Sequence, residues 1–151
     1  MTGSTSRRAV HVAYPLTVVL DTHAWLWLMA GEPTLRQEAV AVAREAAAAG
    51  TLHVSAISAW EVAMLAARGR IVLPQDPLDW VRTSVERAGV VVAELSPDVL
   101  VASARLPGDL HGEPADRFIV ATARRLGAVL VTRDRALLGY AAQGHVRVIE
   151  A

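Results

Sequence analysis

The fold is decided by the stretch Leu16-Thr17-Val18-Val19-Leu20-Asp21, which runs directly into a helical segment over Thr22–Ala30 that ends at Gly31. The apolar and β-branched run before Asp21 predicts a short buried strand. Glycine directly after a helical segment is a common stop signal for a helix. The stretch therefore predicts a strand that passes straight into a helix, which is the start of a βα unit.

The same alternation of strands and helices continues along the rest of the chain. Further strands are predicted over Leu52–Val54, Val90–Leu95, Ala128–Thr132 and Val146–Ile149. Further helices are predicted over Pro33–Ala49, Ser55–Arg68, Leu78–Ala88, Pro97–Ala104, Ala115–Leu126 and Arg135–Tyr140. Three strand segments are continuously apolar, which is typical of strands covered on both faces: Val18–Leu20, Val90–Val92 and Val129–Val131. The chain is predicted to be an α/β protein with three layers, α/β/α, and a mostly parallel sheet of four or five strands.

Length and composition narrow the classes of protein that fit. The 151 residues predict one domain over residues 16–151, preceded by a polar, flexible extension over residues 1–15. The net charge of zero argues weakly against a general nucleic-acid-binding protein, but it leaves room for an enzyme that handles phosphates through a metal. The absence of cysteine excludes disulfides, zinc–thiolate sites and thiol nucleophiles. Without a membrane-spanning run or a signal-peptide core, the expectation is a soluble cytoplasmic protein with no membrane association.

Two acidic residues follow predicted strands. Asp21 ends the first strand, and Asp134 comes just after the strand Ala128–Thr132. In open parallel sheets, ligands bind at the carboxyl ends of the strands. Because the first strand is usually central in such sheets, we expect these two carboxylates to lie close together.

Two more acidic residues lie on apolar faces of predicted helices. Glu61 and Asp116 each have apolar residues one helical turn away on the same face. Burying an unpaired carboxylate is costly, so a cation is the expected compensation. Hard divalent cations prefer oxygen ligands, and two of them about 4 Å apart can activate water and stabilise the leaving oxygen of a phosphodiester. The sequence therefore predicts a Mg²⁺ or Mn²⁺ site formed by Asp21, Glu61, Asp116 and Asp134.

Each of these acids also has a purely structural interpretation. Asp21 and Asp134 suit the N-cap position of the helices that follow them. Glu61 fits a capping box with Ser58, and Asp116 in a first helical turn complements the helix dipole. The occurrence of all four at successive strand–helix junctions favours a shared site.

Four segments around these acids resemble the four motifs of PIN-domain proteins, in the same order and with similar spacing. They are Leu20–Trp25, Ser55–Glu61, Leu110–Ala121 and Leu130–Asp134. The resemblance extends over roughly Leu16–Ile149, and among PIN proteins it is closest to the VapC-type toxins of bacterial toxin–antitoxin pairs. It implies a PIN-like fold, a Mg²⁺- or Mn²⁺-dependent endoribonuclease acting on RNA, a cognate VapB-type antitoxin and homodimers.

The resemblance also assigns roles to individual residues. It implies that Asp21, Glu61 and Asp116 are the core acids and that Asp134 is the fourth, more variable one. It implies that the Thr132 hydroxyl hydrogen-bonds to the site. Many relatives carry aspartate where this chain has Glu113, whose longer side chain would reach a metal through water.

Basic and aromatic residues beside the motifs are candidates for substrate contact. Arg117, Arg133 and Arg135 are predicted to bind RNA phosphate, with neutralisation of the acids or plain solvation as the alternatives. Trp25 and Trp27 lie two residues apart and cannot share one helix face, so one of them is expected to be exposed.

Two other functions remain open at this point. One is a non-catalytic PIN-like module that binds protein or RNA. The other is an α/β phosphohydrolase with an aspartyl nucleophile at Asp21. Such enzymes usually carry a second aspartate two residues further on, where this chain has His23.

Overall fold

The computed structural model describes residues 16–151, and the predicted extension over residues 1–15 lies outside the described residues. The strands are β1 (Val18–Leu20), β2 (Leu52–Ser55), β3 (Val91–Ala93), β4 (Val129–Thr132) and β5 (Arg147–Glu150). The helices are α1 (Thr22–Ala30), α2 (Gln37–Ala49), α3 (Ala56–Ala67), α4 (Pro77–Ala88), α5 (Pro97–Ala104), α6 (Pro114–Leu126) and α7 (Arg135–Ala142). No helix among these has the length and apolar character needed to cross a membrane.

The strands form one parallel sheet in the order β3-β2-β1-β4-β5. The first strand is central, as predicted. Leu20 is in register with Val54 of β2 and Val131 of β4, so the carboxyl ends of these three strands are level. The residues that follow them therefore meet at one edge of the sheet.

Alternate residues of β1 face two separate cores. Val18 and Leu20 pack with residues of α1, α2 and α4, whereas Val19 packs with residues of α6 and α7. Helix α3 contributes to both, through Val62 in the first core and Ile57 at the border of the second. Helices thus cover both faces of the sheet, and the predicted three-layer α/β/α architecture is confirmed.

The prediction that the third strand is covered on both faces is wrong. β3 is an edge strand with a single neighbour, β2. Its Val91 is 40% exposed, as a residue of an edge strand can be. Continuous apolar character therefore marked buried strands only in the sheet interior.

Most helix ends agree with the predicted stops, and one helix start does not. Gly31 ends α1 with φ 68°, a left-handed conformation that glycine adopts without steric cost. Helix α2 begins at Gln37, four residues later than predicted. Thr34 and Leu35 instead form a turn in which their backbone N–H groups donate to Glu32.

Candidate metal centre

The four acids predicted from the sequence line one cleft of about 410 Å³ at the carboxyl edge of the sheet. We call this the acidic cleft. It is lined by Asp21, Thr22, His23, Trp27, Glu61, Glu113, Asp116, Ile119, Arg133 and Asp134. A larger groove of about 590 Å³ lies along α1 and α2, but its lining is mostly apolar and Glu32 is the acid it contains. The carboxylates predicted to bind a metal therefore lie in the smaller cleft.

Asp21 is held by hydrogen bonds on both carboxylate oxygens. Oδ1 accepts from the backbone N–H of Ala24 at 2.8 Å, which makes Asp21 the N-cap of α1. Oδ2 accepts from the hydroxyl of Thr132. The side chain is 6% exposed, and this burial raises the pKa of Asp21 even though the bond from Thr132 acts to lower it. Asp21 is thus both a helix cap and a buried carboxylate of the cleft.

Thr132 links two of the acids. Its hydroxyl donates to Asp21 and accepts from the backbone N–H of Asp134 at 3.0 Å. Asp134 in turn caps α7, because its Oδ1 accepts from the N–H of Leu137 at 3.0 Å. The end of β4 therefore fixes the position of Asp134 relative to Asp21.

Glu61 is oriented by hydroxyl groups from two elements. Thr22 Oγ1 lies 2.8 Å from Ser58 Oγ and also hydrogen-bonds to Glu61 Oε1. An ionised carboxylate only accepts, and a hydroxyl has one proton, so Thr22 donates to Glu61 and is free to accept from Ser58. The capping-box alternative for Glu61 and Ser58 is wrong, because α3 starts at Ala56 and Ser58 lies inside the helix.

Asp116 lies half-buried in the first turn of α6. Its Oδ2 accepts from the backbone N–H of Glu113 at 3.0 Å. The pKa of Asp116 is raised to about 6, chiefly by burial and also by the negative charges of Asp134, Glu61 and Asp21, while the bond from the Glu113 N–H acts to lower it. The charges of Asp134, Glu61 and Asp21 therefore lie close enough to Asp116 to oppose its ionisation.

The other predicted contact residues occupy different positions. Glu113 lines the cleft as the exposed N-cap of α6. Arg133 also lines the cleft. Arg117 does not line it, and its Nε donates to the carbonyl of Ser103 at 3.1 Å. Arg117 therefore holds the end of α5 against α6.

No arginine within residues 16–151 forms an ion pair with an acid of the cleft. The ion pairs formed there are Arg36–Glu150 and Arg125–Asp98, and neither involves an acid of the cleft. In the same range, no group of three or more acidic or histidine side chains is placed so that it could hold a metal ion by itself. Mg²⁺ is usually held by one or two carboxylates together with water and substrate phosphate. The donors fit an open site for such a cation.

Thr22 and Ser58 are site residues that the sequence reasoning missed. Both are buried, and their contact joins α1 to α3. In the sequence, the indication of this contact was the hydroxyl residue directly after Asp21. Its role as a partner of Glu61 follows only when β1 and β2 are neighbours, because that pairing brings the starts of α1 and α3 together.

Residues 18–142 match the sequence profile of the PIN domain family. The match covers most of the chain and includes all four motifs around the acidic cleft. The chain belongs to the PIN domain family.

Relatives of this chain agree with that assignment. The chain is 40% identical over 121 residues to Ribonuclease VapC22 of Mycobacterium tuberculosis, which covers 80% of this chain and 89% of the relative. It is similar to the crystal structure of DNA-bound VapBC from Salmonella typhimurium, with a TM-score of 0.64, 17% identity and coverage of 90% of this chain and 98% of the other. A toxin–antitoxin complex from Klebsiella pneumoniae matches with a TM-score of 0.56, 21% identity and coverage of 87% and 95%. At these identities the two structures support the fold alone.

Proposed function

We propose that this chain is a VapC-type endoribonuclease toxin that hydrolyses RNA phosphodiester bonds with Mg²⁺ or Mn²⁺. The observation that carries the proposal is the meeting of the four motif acids in one cleft: Asp21, Glu61, Asp116 and Asp134. The 40% identity to a protein named as a ribonuclease supports RNA as the substrate.

The residues of the cleft are suited to holding a hard divalent cation. Thr132 and Thr22 fix the carboxylates of Asp21 and Glu61 through hydroxyl groups that carry no charge. These hydroxyl groups orient the carboxylate oxygens without adding a positive charge that would compete with a bound cation. A bound divalent cation supplies an activated water and stabilises the charge that develops on the phosphodiester.

We further propose that a cognate VapB-type antitoxin neutralises the enzyme and that the enzyme is a homodimer. The support is the similarity of the fold to VapBC and to a toxin–antitoxin complex. Co-purification with the product of a neighbouring reading frame, and loss of RNA cleavage in that complex, test the partner. An equally active complex contradicts it.

The activity is tested by incubating the purified chain with single-stranded RNA in Mg²⁺, in Mn²⁺ and in excess chelator. We expect cleavage with either metal, none with chelator, and a loss of at least about 100-fold in Asp116→Asn, because a metal-held carboxylate is removed. Asp79→Asn is the matched control, since Asp79 is an exposed carboxylate on α4. Full activity in a folded Asp116→Asn variant contradicts the proposed site.

The same preparation separates an enzyme from a non-catalytic PIN-like module. Calorimetric titration with Mn²⁺ is expected to give binding in the wild type and weaker binding in Asp116→Asn. A folded wild type that binds no Mn²⁺ at millimolar concentration and cleaves no RNA favours the non-catalytic module.

A further inference from the structure

Arg133 is a cation in the wall of the acidic cleft that does not pair with the acids. Its Nε donates to the carbonyl of Ala151 at 3.0 Å, and its Nη2 donates to the carbonyl of Thr34 at 2.8 Å. Its guanidinium carbon lies 4.5 Å from the centroid of the Trp27 ring. These contacts hold the side chain in place without neutralising its charge.

One nitrogen of this guanidinium remains available. Nη1 has no hydrogen-bond partner among residues 16–151. No buried side-chain nitrogen or oxygen in that range lacks a partner, so Nη1 reaches solvent. Because Arg133 lines the cleft, its two Nη1 N–H groups are donors for a ligand that enters there.

We propose that Arg133 binds, through Nη1, a phosphate of the RNA strand next to the scissile one; this inference rests on the proposed ribonuclease activity. Four carboxylates repel the backbone of an approaching RNA, and a cation at the rim offsets that repulsion. An arginine that donates hydrogen bonds to two carbonyl oxygens is held in place with its positive charge still available to bind a phosphate. A freely moving arginine would instead be drawn to the carboxylates, where its charge would be neutralised.

Trp27 is the positioning residue for this contact. Its half-buried ring forms the surface on which the guanidinium stacks, an arrangement that favours arginine over lysine. His23, one helical turn earlier on α1, lies against the same ring with a centroid distance of 5.6 Å. The ring is therefore held from one side while it supports Arg133.

The test compares wild type, Arg133→Gln and Arg82→Gln in cleavage of a labelled single-stranded RNA of mixed sequence with Mn²⁺. Arg82 is an exposed arginine on α4 outside the cleft lining, so its substitution removes the same charge elsewhere. We expect KM of Arg133→Gln to rise about tenfold or more, since a charge-assisted hydrogen bond is lost, with kcat changed by less than about twofold. We expect Trp27→Leu to raise KM less than Arg133→Gln does.

Salt dependence separates a phosphate contact from a merely structural role. Binding of the same RNA is measured by fluorescence anisotropy in Asp116→Asn, with and without Arg133→Gln. Loss of one phosphate contact to a single strand reduces the slope of log affinity against log salt by about 0.7. A structural role alone lowers Tm and leaves that slope unchanged, which overturns the proposal.

The outcomes distinguish this inference from the proposed activity. Absence of cleavage by the wild type contradicts the ribonuclease assignment. Cleavage by the wild type with unchanged KM and salt slope in folded Arg133→Gln overturns only the role of Arg133. If Arg133→Gln does not fold, Arg133→Lys replaces it. The positive charge remains in Arg133→Lys, so we expect the wild-type slope of log affinity against log salt together with a severalfold higher KM. A wild-type KM in Arg133→Lys overturns the proposal.

Discussion

Single residues in the acidic cleft perform two tasks at once. Asp21 caps α1 with one carboxylate oxygen and contacts Thr132 with the other. Asp134 caps α7 and receives its position from the same threonine. The structural and functional interpretations of these acids are therefore compatible. A helix N-terminus also favours a nearby negative charge, so the cap position suits an acidic residue.

The position of the Asp116 side chain leaves no room for a side chain at residue 112, so a glycine is needed there. A Cβ added at Gly112 would lie 2.7 Å from Asp116 Oδ2 and 3.1 Å from its Cβ. We expect Gly112→Ala to displace the Asp116 carboxylate and to lower kcat about 100-fold, because small displacements in a catalytic site are costly. Metal-dependent RNA cleavage measures the effect.

Gly139 provides the matched control for this substitution. It lies in α7 with nothing within 4 Å of an added Cβ. Gly139→Ala is expected to keep full activity and to stabilise the helix by up to about 1 kcal/mol. Wild-type kcat in Gly112→Ala contradicts the proposed dependence on the position of Asp116.

At the scale of elements, α1 is fastened to α4 behind the cleft. Trp25 is fully buried, its Nε1 donates to Ser84 Oγ at 2.8 Å, and its ring lies 4.7 Å from that of Trp80. Asp21, Thr22 and α1 form one continuous segment, so this contact also supports two cleft residues. Trp25 and Trp27 lie on different faces of α1, as predicted, but the expectation that one of them is exposed is wrong: Trp25 is in the core and Trp27 is half-buried at the cleft.

Ser84→Ala tests the contribution of this contact. The substitution leaves the indole N–H of Trp25 buried without a partner, which costs about 1–3 kcal/mol. For a chain of this size Tm is expected to fall by about 2–4 °C for each kcal/mol. Thermal denaturation measures the change, with kcat at low temperature expected to remain at the wild-type value.

A double substitution isolates the hydrogen bond. In Trp25→Phe the donor is absent, so adding Ser84→Ala is expected to cost much less than it does in the wild type. An equal loss of stability in both backgrounds contradicts the assignment of that energy to the Trp25–Ser84 bond.

Local signals predicted the elements better than their arrangement. Gly31 and Gly127 end helices where the sequence indicated, because a left-handed residue is needed at that point whatever packs nearby. The strand order and the exposure of Val91 depend on which strands pair, and that information is distributed over the whole chain. The late start of α2 has the same origin, since Thr34 in the preceding turn accepts from Arg133, 99 residues away in the sequence.

The same distinction applies to the site. The four acids were recognisable because each follows a strand or lies in a motif. The bond between Thr22 and Glu61 was not, because it joins α1 to α3 and exists only when β1 and β2 are adjacent. Arg117 shows the reverse case: its position beside Asp116 suggested a phosphate contact, but the helix turns it toward α5.

At the scale of the whole molecule, a net charge of zero conceals an uneven distribution. Four carboxylates share one cleft, and in residues 16–151 no ion pair offsets them. The pKa of Asp116 is raised from its ordinary value of 3.8 to about 6 in the folded chain. Between these two pH values the Asp116 carboxyl is mostly protonated in the folded chain and mostly ionised in the unfolded chain. The folded state binds more protons in this window, so the free energy of unfolding of the metal-free protein falls as pH rises through it.

This linkage predicts how metal stabilises the fold. Mn²⁺ competes with the proton on Asp116, so its affinity is expected to rise about tenfold per pH unit for each displaced proton below pH 6. Saturation to about 100 times the Kd adds about 2.7 kcal/mol, which corresponds to an increase in Tm of about 5–10 °C. We expect this increase at pH 8 and a much smaller one at pH 5 for the same Mn²⁺ concentration, measured by thermal denaturation.

Asp116→Asn is the control, because it removes the charge while an amide oxygen can still accept from the Glu113 N–H. The variant relieves repulsion in the cleft, so at pH 8 and without metal we expect its Tm to exceed that of the wild type by about 2–4 °C, an effect limited by solvent screening of this half-buried group. Added Mn²⁺ is expected to stabilise it little at either pH. A cation bound elsewhere would not compete with the proton on Asp116. Equal stabilisation by Mn²⁺ at pH 5 and pH 8 therefore contradicts the link between the Asp116 carboxylate and the proposed metal centre. Equal stabilisation of the variant and the wild type contradicts it as well.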